Sequence, residues 1–143
     1  MRRKLNCVLL VDDNESDNFF HKRVIEQAGI TDFIEMALNG LEAIDFLTSK
    51  WERDQKDNSF PRPALIFLDI NMPLMDGWEF LEEYHKLDEV QKGKVVIIML
   101  TASKYSADIA RAENTLGSGC FIFKPLTVKM INEIMQKHFP EYL

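Results

Sequence analysis

Leu65-Ile66-Phe67-Leu68-Asp69-Ile70-Asn71-Met72-Pro73 is an apolar run that ends on a carboxylate and then breaks. Its consecutive large apolar residues read as a strand buried on both faces, as in a parallel sheet. Pro73, and the Asp76-Gly77 pair beyond it, stop that strand and signal a turn into a helix. Asp69 therefore falls at the carboxyl end of a central strand. In open α/β sheets that edge is where ligands bind. A lone aspartate there serves equally well as a loop cap, so the other strand ends must decide.

Working outward, Leu5 to Val11 is a first, mostly apolar strand that ends in Asp12-Asp13-Asn14. Asn14 can cap a helix from about Glu15 to Ala28, with Glu15 and Asp17 near its positive end. Phe20, Val24, Ile25 and Ala28 recur at helical spacing and are expected to face the core. Gly29 suits a left-handed stop. Phe33 to Leu38 reads as a second strand, and Asn39 with Glu42 as a capping box. The helix behind it has Leu41, Ile44 and Leu47 on its expected buried side. Trp51 to Pro63 is polar, holds two prolines, and reads as an exposed connection.

Beyond the central strand, Asp76 to about Lys86 is a third helix with Phe80, Leu81 and Tyr84 inward. Lys94 to Leu100 is a fourth strand ending in Thr101-Ala102-Ser103. A helix over Ser106 to Leu116 is broken by Gly117 and Gly119. Cys120 to Phe123 is a fifth strand ending in Lys124-Pro125, and Thr127 caps a last helix with Val128, Ile131, Ile134 and Met135 apolar. Strands and helices alternate throughout. This predicts a mostly parallel sheet with right-handed crossovers and helices on both faces.

The totals narrow the function. The chain has 143 residues, 46% hydrophobic and 28% charged, enough for one domain with a substantial core. The net charge of −6 and the lack of a basic patch beyond Arg2-Arg3-Lys4 argue against nucleic-acid binding. No apolar run approaches a membrane span, and the first strand is too short and too polar for a signal peptide. The two cysteines, Cys7 and Cys120, form neither a disulfide framework nor a zinc pattern. A reduced cytoplasmic protein is expected.

Asp12-Asp13, Asp69, Thr101 and Lys124 all end predicted strands, so a parallel sheet would gather them on one edge. Three close carboxylates repel one another and raise one another's pKa. A divalent cation relieves that conflict, and hard oxygen donors suit Mg²⁺. Lys124 supplies an ammonium and Thr101 a hydroxyl for phosphoryl oxygens, leaving Asp69 as nucleophile. Positioning and charge neutralisation carry most of phosphoryl transfer.

Val11-Asp12-Asp13-Asn14, Leu68-Asp69-Ile70-Asn71-Met72-Pro73-Leu74-Met75-Asp76-Gly77, Leu100-Thr101-Ala102 and Phe123-Lys124-Pro125 resemble the receiver domain of two-component response regulators, in its single-domain, chemotaxis-regulator-like form. The likeness spans about Leu5 to His138, with the motifs in order. It implies a flavodoxin-like (βα)5 three-layer sandwich, its five-stranded parallel sheet in order 2-1-3-4-5. It implies Asp69 as phosphoacceptor from a sensor histidine kinase or histidine phosphotransfer protein. It implies Mg²⁺ held by Asp13, Asp69 and the main-chain carbonyl of Asn71, with Asp12 holding metal waters. Thr101 and Lys124 would contact the phosphoryl group, and a cis peptide before Pro125 would aim the lysine inward.

The resemblance also implies a switch. Thr101 moves toward the phosphoryl group and Phe121 turns inward behind it, altering a face built from the fourth helix, fifth strand and fifth helix. A downstream protein would read that face. Asn71 and Ser103 occupy positions that tune loss of the phosphoryl group; both are small and polar, implying a moderately short-lived state. The long Trp51–Pro63 segment resembles those of relatives paired with phytochrome-type and hybrid kinases. Residues 1–143 are expected to form a single receiver with no output domain, a monomer or weak dimer that catalyses only its own phosphorylation and dephosphorylation.

Rival readings fit less well. A Mg²⁺-dependent aspartyl phosphohydrolase resembling the haloacid dehalogenases needs Asp-x-Asp at the first strand's end, where this chain has adjacent Asp12-Asp13. A flavin or nucleotide binder needs a glycine-rich phosphate loop that is missing. A receiver used unphosphorylated would not need the intact acid, hydroxyl and ammonium set. His21, His85 and His138 lie on predicted helices away from the strand ends, and are read as solvated or packed. Cys7 and Cys120, on non-neighbouring strands, are expected to be core-packing thiols. Met72 and Met75 should pack around the turn, and Trp78 is expected to be partly exposed.

Overall fold

Short, largely apolar segments supply the strands, β2 alone carrying a charged residue, Glu35, and in a computed structural model that describes residues 4–57, 62–87, 95–102, 106–117 and 119–142 they form a single sheet. Its strands are β1 (Val8–Val11), β2 (Ile34–Ala37), β3 (Leu65–Leu68), β4 (Val96–Thr101) and β5 (Phe121–Phe123). They lie in the order β2-β1-β3-β4-β5, and every pair is parallel. Residues Leu10, Phe67 and Ile98 share one row across the central three strands.

Five α-helices are described: α1 (Glu15–Ala28), α2 (Gly40–Asp57), α3 (Gly77–Lys86), α4 (Ser106–Leu116) and α5 (Val128–His138). A short 3-10 turn, Pro140–Tyr142, follows. The caps are those the sequence signals. Asn14 Oδ1 accepts the Asp17 N–H at 3.0 Å, and Gly29 ends α1 at φ 67°. Asp76 and Glu79 exchange both bonds of a capping box. Thr127 Oγ1 accepts the Met130 N–H at 3.1 Å. At α2, Asn39 Oδ1 accepts from Glu42, but the Glu42 carboxylate reaches back to the Leu38 N–H instead of that of Asn39.

Alternation along the strands builds two cores. Val8, Leu10, Leu65, Phe67, Ile98 and Leu100 point to a layer formed by α1 and α5, where Val24, Ile25, Ile131, Ile134 and Met135 are buried. Leu9, Val11, Ile66, Leu68, Ile97 and Met99 point to the other layer, against Ala43, Leu47, Phe80, Leu81, Tyr84 and Ala112 of α2, α3 and α4. The three-layer sandwich expected from the sequence is therefore present.

Four expectations need correction. Phe20 is half exposed, and Asn18 and His21 are buried in its stead. The inward stripe of α1 runs through 18, 21, 24 and 25, rotated because the Asn18 amide is drawn in to the Asp12 carbonyl. Leu41 is likewise half exposed, while Ala43, with its small side chain, is fully buried. Trp51 to Asp57 continues α2 and is not loop. Polar residues such as Glu, Arg, Gln and Lys are good helix formers, so polarity alone does not end a helix. Trp78 is buried, its ring capped by the Arg111 guanidinium of α4 at 4.3 Å from the centroid. Its cover comes from a helix remote in sequence, which local periodicity cannot register.

Cys7 and Cys120 are buried thiols outside any disulfide. Met72 and Met75 pack against the second core, as expected. Among the described residues no helix is long and apolar enough to cross a membrane.

Candidate functional site

The carboxyl edge of the sheet is assembled by the ladder itself. The Asp12 N–H donates to Ala37 O of β2 at 3.0 Å, and the Asp69 N–H to Val11 O of β1 at 2.9 Å. The Lys124 N–H donates to Thr101 O of β4 at 3.0 Å. Each chemically notable residue thus sits on the last rung, where backbone bonding fixes its position before any side chain contributes.

The side chains then converge. Oxygens of Asp12, Asp13 and Asp69 lie within 4.8 Å of one another. Asp12 and Asp69 are buried and Asp13 is exposed, so the cluster opens to solvent on one side. Asp69 Oδ1 accepts the Ile70 N–H at 2.8 Å, which turns Oδ2 toward Lys124. Lys124 Nζ lies 2.6 Å from Asp12 Oδ2, 2.8 Å from Asp17 Oδ2 and 3.3 Å from Asp69 Oδ2. The peptide before Pro125 is cis. Thr101 is buried at the end of β4. Phe121 is half-buried against the second core, its ring 5.5 Å from that of Phe123. Asn71 is exposed in the loop after β3, and Ser103 lies outside the described residues.

Electrostatics follow from burial. Desolvation raises the Asp12 carboxyl to about 6, with the negative charge of Asp69 adding to it; bonds from Lys124 and the Asn14 N–H pull the other way. Burial alone would lower the Lys124 ammonium, but its bonds to Asp12 and Asp17 and the charge of Asp69 outweigh it and hold the pKa above the ordinary lysine value. His21 is not as remote as expected. Burial lowers its pKa, and the charges of Asp17, Lys124 and Asp69 all reach it. The donor chemistry fits a hard divalent cation. Three carboxylates are too crowded to be comfortable as anions, and one of them is already penalised by burial.

Asp17 is the residue that sequence reading missed as a site member. It registered only as an acidic residue in the first turn of α1, three residues past the cap. Its position one helical turn above the β1 end is the sole local hint.

The loop after β3 is tightly held. Met75 donates its N–H to Pro73 O at 2.7 Å, closing a three-residue turn about Leu74, which has φ 67° and is 79% exposed. Gly40 donates to Met75 O at 2.9 Å, tying that loop to the start of α2. A non-glycine residue in this region is strained, and such strain concentrates at functional loops.

A doubly wound parallel sheet whose carboxyl edge carries an acid triad and an inward lysine defines the class of flavodoxin-like receiver domains. The profile of the response regulator receiver domain matches residues 8–136, and the chain belongs to that family. It is 29% identical over 129 residues to response regulator Rcp1 of Synechocystis sp., covering 90% of this chain and 83% of that one. Among solved structures, a two-component response regulator from Cytophaga hutchinsonii superposes with a TM-score of 0.81 at 29% identity, covering 94% and 97% of the two chains. The receiver domain of the histidine kinase CKI1 from Arabidopsis thaliana, complexed with Mg²⁺ and BeF3⁻, gives a TM-score of 0.74 at 26% identity over 92% and 90%. Family membership and strand order therefore agree with the sequence reading.

Proposed function

We propose that this receiver takes a phosphoryl group from a phosphohistidine of a sensor histidine kinase or histidine phosphotransfer protein onto Asp69, and signals through a surface that changes on phosphorylation. The observation that carries the reading is the meeting of the Asp69 carboxylate with the Asp12 and Asp13 carboxylates and the Lys124 ammonium at one sheet edge. An Asp69 oxygen attacks phosphorus, the P–N bond to the donor imidazole breaks, and the imidazole recovers a proton from solvent. Lys124 presents N–H donors to the transferring oxygens, and the Thr101 hydroxyl supplies another.

Asp12, Asp13, Asp69 and the Asn71 carbonyl are the groups that would hold Mg²⁺. Bound there, the ion would neutralise the acid cluster and let an anionic donor approach. The Mg²⁺ bound by the CKI1 receiver supports this assignment. Among described residues, Phe19 and Phe20 on α1, Leu74 after β3, and Phe123 beside Lys124 are exposed on elements flanking this edge. Apolar exposure around a charged site favours a protein donor over a small molecule. Thr101 and Phe121 form the switch, read by a downstream protein on the face of α4, β5 and α5. Asn71 and Ser103 set the lifetime of the phosphoryl state by leaving room for water. The unit acts in the cytoplasm as a monomer or weak dimer.

Incubation with acetyl phosphate and Mg²⁺, followed by intact mass measurement, tests the proposal. Wild type should gain one phosphoryl group and Asp69→Asn none. An equal gain in both would remove Asp69 from its role.

A further inference from the structure

We propose that Asp17 is a positioning residue that competes with the phosphoryl group for the Lys124 ammonium and so slows phosphoryl capture; this rests on the reading of Asp69 as phosphoacceptor. An ammonium has three N–H donors. In this structure three carboxylate oxygens, from Asp12, Asp17 and Asp69, lie at 2.6, 2.8 and 3.3 Å from that of Lys124, as many as it has donors, and it hydrogen-bonds Asp17 and Asp69. A donor must be released before Lys124 can bond a phosphoryl oxygen.

Asp12 and Asp69 belong to the acid cluster, whereas Asp17 lies outside it on α1. It is held there by construction. Its N–H donates to Asn14 Oδ1, fixing the first turn, and the Asn18 amide ties the next residue to the Asp12 carbonyl. The Asp17 side chain is 36% exposed, against 6% for Asp12 and 10% for Asp69, so it meets the solvent from which an anionic donor arrives. Its bond to Lys124 is shorter than that of Asp69. Asp17 thus anchors the lysine toward α1 and adds negative charge on the approach side. Both effects oppose transfer; when the carboxylate becomes an amide of the same shape the negative charge is lost and the contact to Lys124 weakens from an ion pair to a neutral hydrogen bond.

Two measurements test this. The first is the initial rate of phosphorylation by acetyl phosphate in saturating Mg²⁺, followed by intact mass, for wild type, Asp17→Asn, Asp17→Glu, Glu15→Gln and Asp69→Asn. Asp17→Asn should be faster by about two- to five-fold, the scale of one half-exposed ion pair. Asp17→Glu should return toward wild type. Glu15→Gln, which removes an exposed charge from the same turn without touching Lys124, should match wild type. The second is the Lys124 ammonium signal in the nitrogen-resolved NMR spectrum of metal-free protein, assigned by its loss in Lys124→Arg. It should be visible in wild type and Glu15→Gln, and broadened by water exchange in Asp17→Asn. An Asp17→Asn rate no greater than that of Glu15→Gln, or an unchanged ammonium signal, overturns the inference. Wild type that takes up no phosphoryl group overturns the reading of Asp69 instead, and the ammonium signal then judges the Asp17 contact alone.

Discussion

Gly77 is the point at which helix α3 rests on the backbone of Asp69, the proposed phosphoacceptor, and Gly77→Ala tests how far the site depends on that contact. A Cβ placed there would fall within van der Waals distance of the Asp69 carbonyl oxygen and 3.0 Å from Ile70 Cα. These are backbone atoms immediately past the end of the central strand β3 and cannot rotate aside. The Gly77 N–H also donates to Ile70 O at 2.8 Å, so the helix cannot slide without losing that bond. Relief requires α3 or the Asp69–Ile70 peptide to move by roughly 0.5–1 Å. Overpacking of this kind costs about 1–3 kcal/mol, and the better helix propensity of alanine returns roughly 0.5–1 kcal/mol. A net loss of about 1–2 kcal/mol follows, which lowers the thermal midpoint by about 3–8 °C. On the proposed role of Asp69, displacing it by such a distance should also slow phosphorylation by about ten-fold or more. Urea unfolding followed by tryptophan fluorescence measures the first effect, and intact mass after acetyl phosphate the second. Gly29→Ala is the comparison. It meets no atom within 4 Å but has φ 67°, so it should lose about 1 kcal/mol with phosphorylation unchanged. A Gly77→Ala protein as stable as wild type and phosphorylated at its rate would refute the close-approach argument.

Arg111→Ala should uncover the Trp78 ring, red-shift its emission and cost about 1 kcal/mol in urea unfolding; an unshifted spectrum would show that the guanidinium does not shield it. Acidification should destabilise the fold through His21. Its folded pKa is lowered by burial, so its contribution is complete above the unfolded value of 6.5 and is lost as pH falls below it. Asp12, raised to about 6, acts in the opposite sense, so the measurement is a comparison. His21→Gln should lose less stability than wild type between pH 7 and 5, and parallel curves would count against a buried neutral imidazole.

Much of this molecule is written locally. The run from Leu65 to Asp69 announces a buried strand ending in an acid, and the equivalent ends at Asp12, Thr101 and Lys124 follow from apolar runs and breakers alone. Caps at Asn14, Asp76 and Thr127 depend on a side chain reaching a backbone N–H three residues on, so a short window contains all the information. The helix faces were less legible. In α1 the hydrophobic rule favoured Phe20, but the helix turned to bury Asn18 and His21. The Asn18–Asp12 bond that accompanies the turn joins two elements across a loop, and a hydropathy pattern carries no record of it. In α2 the choice of Ala43 over Leu41 was set by how closely the helix could approach the sheet.

Alternating apolar runs, their breakers and the acids, hydroxyl and amine that follow them settled the parallel sheet and which groups stand at its carboxyl edge, because these are short-range properties of the chain. The company each of those groups keeps was decided only on folding. Asp17 shares the Lys124 ammonium and Arg111 covers Trp78 because elements distant in sequence pack on one sheet, and Gly77 lies against the Asp69 carbonyl because the loop after β3 folds back to seat α3 there. Such contacts are set by the angles and distances of packing, which no stretch of residues specifies alone.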